Sequence, residues 1–175
     1  MHLCYRARQF WLALSTHPTS AELDQARAVL STEQMVLFSR IQPGEQAHAL
    51  HMLSALQAQG ETAADLLIAA LLHDVGKQRC PLRLWERVAI VLVQAASPLL
   101  AQRWGELAVD SCRSWRKPFI VAAQHPVWGA ELALQAGATM LAAALIRRHQ
   151  IPAPADSNQW EDTLLRKLQA VDEET

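Results

Sequence analysis

Six side chains in this sequence combine types and positions that could hold a cation: His48, His73, Asp74, His125, His149 and Asp172. The sharpest signal is His73-Asp74, which directly follows the apolar run Leu66 to Leu72 (LLIAALL) and precedes Val75, Gly76 and Lys77. A helix with no polar side belongs at the centre of a bundle. A carboxylate buried unpaired at its end would cost several kcal/mol. Asp74 therefore needs compensation, either from a bound cation or from Lys77, one helical turn beyond His73. In the plainer of these readings, His73 caps the helix and Asp74 pairs with Lys77. The other members lie where apolar periodicity also expects a buried face: His48 after the Pro43-Gly44 turn, His125 before Pro126, His149 after MLAAALI and Asp172 after LLRKLQAV. Four histidines and two carboxylates near the ends of five helices can converge at one mouth of a bundle, where such sites are built. Imidazole and carboxylate without thiolate suit one or two ions of Mn, Fe, Mg or Zn. Such a site activates water and holds phosphoryl oxygens.

The elements that must position these residues read as all-α, a helical bundle. Of 175 residues, 30 are alanine and 26 leucine, and no stretch shows sustained period-two alternation, so no sheet is expected. Apolar residues make up 51%, charged residues 19%, and there are only 6 Gly and 8 Pro, which excludes disordered and low-complexity classes. Periodicity and turn signals predict helices over Ala7–Ser15, from Ser20 as N-cap, from Ser31, and over Glu45–Ala58 ending at Gly60. A further helix runs from Ala63, capped by Thr62, to about Val75. Others cover Leu82–Ala96, Pro98–Trp104, Pro118–Gln124, Val127–Ala136, Thr139–His149 and Asn158–Asp172, with Ile151–Ser157 as a proline-containing loop. Residues 1–42 are expected to form a helical extension packed on a bundle formed by 43–175.

Charge and apolar runs narrow the function classes. The net charge is −1, from 16 basic and 17 acidic residues, which argues against a nucleic-acid partner. The longest apolar runs have seven residues, far short of the roughly 20 of a membrane span. Cys4, Cys80 and Cys112 are odd in number and form no CxxC, which suits free thiols in a reducing cytoplasm. The N-terminal stretch MHLCYRARQFWLAL has a short apolar run and no small-residue cleavage site after it, so it is not expected to act as a leader.

Around the six residues the chain resembles the HD superfamily of metal-dependent phosphohydrolases. The matching pieces are Gln46-Ala47-His48-Ala49-Leu50, the signature Ala69-Ala70-Leu71-Leu72-His73-Asp74-Val75-Gly76-Lys77, and the final Leu168-Gln169-Ala170-Val171-Asp172. His125-Pro126-Val127-Trp128-Gly129-Ala130 looks like the HPxxGA element of the HDIG-type branch, and Ile146-Arg147-Arg148-His149 resembles its later I-x-x-H. By this resemblance His48, His73, Asp74 and Asp172 hold a first metal. Asp74 also bridges to a second metal on His125 and His149, and Lys77 lies close to the phosphate or the metal-activated water. Asp74 and Lys77 are then the catalytic candidates. The motif favours His48 over His51, one turn away. Gln150 follows His149 where branches that degrade cyclic di-GMP carry a second histidine. The pattern is closer to bacterial HD-type hydrolases of diadenosine tetraphosphate.

The implied function is hydrolysis of a small, nucleotide-like phosphoester or phosphoanhydride. The alternative is a non-catalytic HD-type module that binds nucleotide or signals. Arg79, Arg83, Arg87, Arg147 and Arg148 are candidates for phosphate recognition. His2 and His17 are expected in solvent, and Trp85 and Trp128 are expected in the core.

Overall fold

The computed structural model describes residues 17–106 and 114–174; the expected helix Ala7–Ser15, His2, Cys4 and Cys112 lie outside the described residues. The described residues are helical, with no strand among them. In chain order they form α1 (Ser20–Val29), α2 (Thr32–Phe38), α3 (Pro43–Ala58), α4 (Ala64–Leu72), a 3-10 turn (Val75–Arg79), α5 (Leu84–Ala96), α6 (Pro98–Gly105), α7 (Lys117–Gln135), α8 (Met140–Arg148) and α9 (Trp160–Glu174). No helix among the described residues is long and apolar enough to cross a membrane.

Helix α4 is the axis of the fold. Leu66, Ala69, Ala70, Leu71 and Leu72 are fully buried in the main core, against Leu50, Leu53 and Leu56 of α3, Leu145 and Ile146 of α8, and Leu164, Leu165 and Leu168 of α9. Ala26 of α1, Leu37 and Phe38 of α2, and Ile41 belong to the same core. Residues 20–41 thus share one apolar interior with the bundle. A smaller cluster joins Cys80, Leu82, Ile120, Val121 and Trp128 beneath α5 and α7.

Local chemistry sets the ends of the helices. Thr19 and Ser31 close capping boxes on Glu22 and Gln34, so Thr19 rather than Ser20 is the first N-cap. Gly60, at φ 81°, ends α3, and the Glu61 amide reaches back to the Leu56 carbonyl at 3.0 Å; Gly137, at φ 79°, ends α7 in the same way. Helix α4 begins after Ala63 with no side-chain cap, so Thr62 does not take the expected role. It also stops at Leu72, three residues early. His73 keeps helical dihedrals, but Asp74 turns to φ −99°, ψ 1°, and the chain tightens into the 3-10 turn. The two helices expected over 118–124 and 127–136 are a single helix, α7, with Pro126 inside it. Proline removes one ladder bond and bends a helix without obligatorily ending it when packing holds both halves. His125 therefore lies within a helix and not at a junction.

Two glycines bring the 3-10 turn against α7. A β-carbon at Gly76 would lie 2.0 Å from the His125 carbonyl oxygen and 2.8 Å from the Gly129 amide, and one at Gly129 would lie 3.2 Å from the Ile146 side chain. Only a bare backbone lets the residues after Asp74 lie on α7 beside His125.

Two expectations are corrected. Cys80 is disulfide-bonded, so the cysteines no longer argue for a reducing compartment. Trp85 projects from α5 into solvent, whereas Trp128 is buried as expected.

Because the backbone behind Gly76 cannot yield without moving α7, Gly76→Ala should cost about 1–3 kcal/mol in chemical denaturation. Gly60→Ala, in open space at a positive φ, strains only its own turn. A Gly76→Ala variant that is as stable as the parent would refute this packing.

Candidate metal centre

Of the six residues picked out by type and spacing, His48, His73, Asp74, His149 and Asp172 line one cleft of about 600 Å³, and His125 lies against Asp74 and His149. They come from the first half of α3 (His48), the end of α4 (His73) and the turn after it (Asp74). The remainder come from the middle of α7 (His125), the end of α8 (His149) and the last turns of α9 (Asp172). His73, Asp74, His125 and His149 are buried, while His48 and Asp172 are half-buried at the cleft wall.

Ring orientation is fixed by backbone carbonyls. His73 Nδ1 lies 2.9 Å from the Ala70 carbonyl oxygen, His125 Nδ1 2.8 Å from that of Val121, and His149 Nδ1 2.7 Å from that of Ile146. A carbonyl oxygen only accepts, so each Nδ1 carries hydrogen and donates it. In a neutral ring the Nε2 atom then offers a lone pair, and these atoms point inward. His125 Nε2 lies 3.3 Å from His149 Nε2 and 3.2 Å from Asp74 Oδ1. Acceptors facing one another at this range require an electrophile among them. A proton relieves one such contact; a metal ion at the centre relieves all of them at once.

The spacing fits that ion. Two ligand atoms each about 2.1 Å from one cation, at tetrahedral or octahedral angles, lie about 3.0–3.4 Å apart. The pairs His125–His149 and His125–Asp74 meet this spacing, and all three ligand atoms of the group lie within 4.8 Å of one another. A second group, His48, His73 and Asp172, is more open: His48 Nε2 lies 2.9 Å from Asp172 Oδ1, and His73 Nε2 3.8 Å from the same oxygen. Asp74 touches both groups, with Oδ1 toward His125 and Oδ2 3.5 Å from His73 Nε2. The HD-like motifs imply an aspartate shared between two metals, and the two oxygens of Asp74 face the two different groups.

Lys77 is also present, and both compensators of Asp74 weighed from the sequence have a place. Its Nζ lies 2.5 Å from Asp74 Oδ2 and 3.9 Å from Glu45 Oε1. Burial opposes ionisation of Asp74, but Lys77, His73 and His125 outweigh it and hold the carboxyl well below its usual range. Burial likewise opposes the Lys77 charge, and Asp74 and Glu45 overcome it, raising its pKa. Asp172 is held ionised against burial by its hydrogen bond to His48 and by His73. His149 is pushed down to about 3, first by burial and then by His73.

Sequence reasoning missed Glu45. It is buried one turn before His48, accepts from Arg87 at 2.7 Å and draws Lys77 toward the same wall. Its position in the first turn of α3 reads as a helix-dipole carboxylate, and only the fold shows that it faces inward. Of the five candidate arginines, Arg87 alone lines the cleft, held by Gln42 and Glu45. Arg79 pairs with Glu131, Arg148 with Glu161 and Asp162, the Arg83 backbone meets Glu86, and Arg147 is exposed. His51 is exposed and outside the cluster. His17 is exposed as expected, yet it lines the cleft.

Comparison of the chain with protein-family models, curated proteins and solved structures finds no match.

The buried imidazole of His149 gives a pH signature. Its pKa of about 3 lies below the 6.5 of an unperturbed ring, so the unfolded chain binds the extra proton between those values. Stability of chelator-treated protein should therefore fall as pH drops from 7 toward 4, by up to about 1.4 kcal/mol per pH unit from this group. Urea titrations across that range should show the slope, and His149→Gln should flatten it. A parent curve level between pH 7 and 5 would contradict the buried neutral ring.

Proposed function

We propose that this protein is a metal-dependent phosphohydrolase acting on a small, nucleotide-like phosphoester or phosphoanhydride. The observation that carries the reading is the adjoining of two His/carboxylate groups, one on each side of Asp74, with the Lys77 ammonium at the cleft they border. The likeness of the His48, His73-Asp74, His125-Pro126 and Asp172 motifs to the HD superfamily supports the same class of chemistry.

Asp74, His125 and His149 would hold one divalent cation, of Mn, Fe, Mg or Zn, and His48, His73 and Asp172, sharing Asp74, a second. A cation there acidifies water and withdraws charge from phosphoryl oxygens. The chain's own residues supply the surrounding electrostatics. Lys77 keeps its proton, because Asp74 and Glu45 stabilise the ammonium, so it serves as a fixed positive charge toward a phosphoryl oxygen and not as a base. Asp74 and Glu45 aim it, and the Glu45–Arg87 pair carries a second positive group to the cleft wall. The chain's near-zero net charge favours a small substrate over a polyanion.

One observation favours a second reading. Lys77 already compensates Asp74, so a charge-balanced, metal-free pocket that binds nucleotide without turnover is compatible with this wall of the site. Metal content separates the two. Protein purified without chelator should carry about one or two Mn, Fe, Zn or Mg ions per chain by mass spectrometry and should hydrolyse members of a nucleotide and dinucleotide panel. His73→Ala and Asp74→Ala should each lower metal content and reduce turnover by about a hundredfold or more. Bound nucleotide with no divalent ion and no thermal shift on chelation would favour the binding module.

A further inference from the structure

Helix α5 divides its residues between two unlike sides. Glu86 is buried with Lys117 Nζ at 2.8 Å, Arg87 lies against Glu45 at 2.7 Å, and Ile90 packs on the cluster of Cys80 and Trp128. These residues face the fold. Between Leu84 and Gln102, Glu86 and Arg87 are the only charged residues, so the outward side carries no charge. That side is apolar all the same: Trp85 is 58% exposed, Leu92 61% and Leu99 78%, with Leu84, Val88, Val91 and Leu100 exposed beside them. Among the described elements, α5 makes its substantial contacts with α6 and α7. Contiguous exposed apolar surface of this kind marks an interaction site.

Area, charge and shape fit a second copy of the same chain. The seven exposed side chains present on the order of 600 Å² of apolar surface, near the ~800 Å² that each partner gives to a stable interface. Pairing this face with itself sets no charge against a like charge, whereas an acidic or basic partner finds nothing there to pair with. Trp85, Val88, Leu92 and Ala95 follow the three-and-four spacing of a helix–helix seam. Bulk is uneven along it: Trp85 lies at one end of α5, and the exposed Ala95 and Ala96 lie at the other. Antiparallel pairing about a two-fold axis sets the large end of each helix on the small end of its partner. The one basic residue of the stretch, Arg87, turns inward, so nothing on this face meets anionic lipid headgroups.

We infer that two copies of this chain associate about a two-fold axis through α5 and the start of α6, with the two α5 helices antiparallel. Association buries Trp85, Leu92 and Leu99 of each protomer against its partner. The seam backs the helix that carries Arg87 to the cleft from its inner side. The inference is independent of the proposed phosphohydrolase activity.

Sedimentation velocity of the full chain tests it. At about 50 μM, above the micromolar constants that interfaces of this size reach, the protein should sediment at twice the 19.4 kDa chain mass. Leu92→Glu should weaken association by about a hundredfold or more and return the chain mass, while α4 amides stay protected from hydrogen exchange. To place the seam, p-benzoylphenylalanine in place of Leu92, irradiated in a mixture of isotope-labelled and unlabelled chains, should cross-link between chains to peptides within 84–102. That cross-link alone decides if Leu92→Glu loses the protection of α4. A parent chain that sediments as a monomer, or a folded Leu92→Glu chain that stays dimeric, would overturn the inference. So would cross-links within one chain, cross-links to other parts of the partner, no cross-link at all, or a monomer that binds phosphatidylcholine–phosphatidylglycerol vesicles through this face.

Discussion

Lone pairs that face one another across a buried space constrain everything else in this structure. His73, His125 and His149 each spend their Nδ1 hydrogen on a backbone carbonyl, and their Nε2 atoms converge with the oxygens of Asp74 and Asp172. Positive charge placed among these donors stabilises such an arrangement. Lys77 supplies some of it on one oxygen of Asp74. The contact between the His125 and His149 rings lies beyond the bonds that Lys77 makes, and it is there that the donor set most resembles a metal-binding group. Helix capping and ligand orientation are one interaction here. The carbonyls of Ala70 and Ile146 belong to the last turns of α4 and α8, where such groups lack helical partners, and the imidazoles that satisfy them are aimed inward as a result.

The apolar frame exists to hold this geometry. Helix α4 is buried on nearly every side, so its C-terminal end has little freedom, and His73-Asp74 is placed where α3, α7, α8 and α9 all approach. The back-to-back glycines, Gly76 and Gly129, let the turn after Asp74 touch α7 backbone to backbone. Pro126 weakens the ladder of α7 beside the residue whose ring must reach across to Asp74 and His149. The Glu45–Arg87–Lys77 set then balances charge along the cleft wall, joining α3, α5 and the turn.

Much of this was legible in the sequence, and what was not had physical reasons. LLIAALL followed by His-Asp announces a buried helix ending in polar groups, because no surface helix spends seven consecutive apolar residues before an acid. The helical class follows from the Ala and Leu content, and the end of α3 from the glycine stop at Gly60. What failed was punctuation: Pro126 reads as a break, but packing on both sides carries α7 through it. The early end of α4 was hidden because Val75 and Gly76 continue the pattern while Asp74 leaves helical dihedrals. Glu45 escaped notice because a first-turn glutamate is ordinary, and its burial comes from Arg87, forty-two residues away. Trp85 was misplaced because apolar periodicity does not tell a face covered by the bundle from one left open. The disulfide at Cys80 is set by proximity in space, which cysteine spacing alone does not reveal.

The most direct test is anomalous diffraction from crystals of the intact protein grown with manganese, recorded on both sides of the metal absorption edge. The account requires a peak within about 2.3 Å of His125 Nε2, His149 Nε2 and a carboxylate oxygen of Asp74. A site without anomalous signal, with Lys77 as the sole cation on Asp74 and the His125–His149 contact bridged by a proton alone, would contradict it.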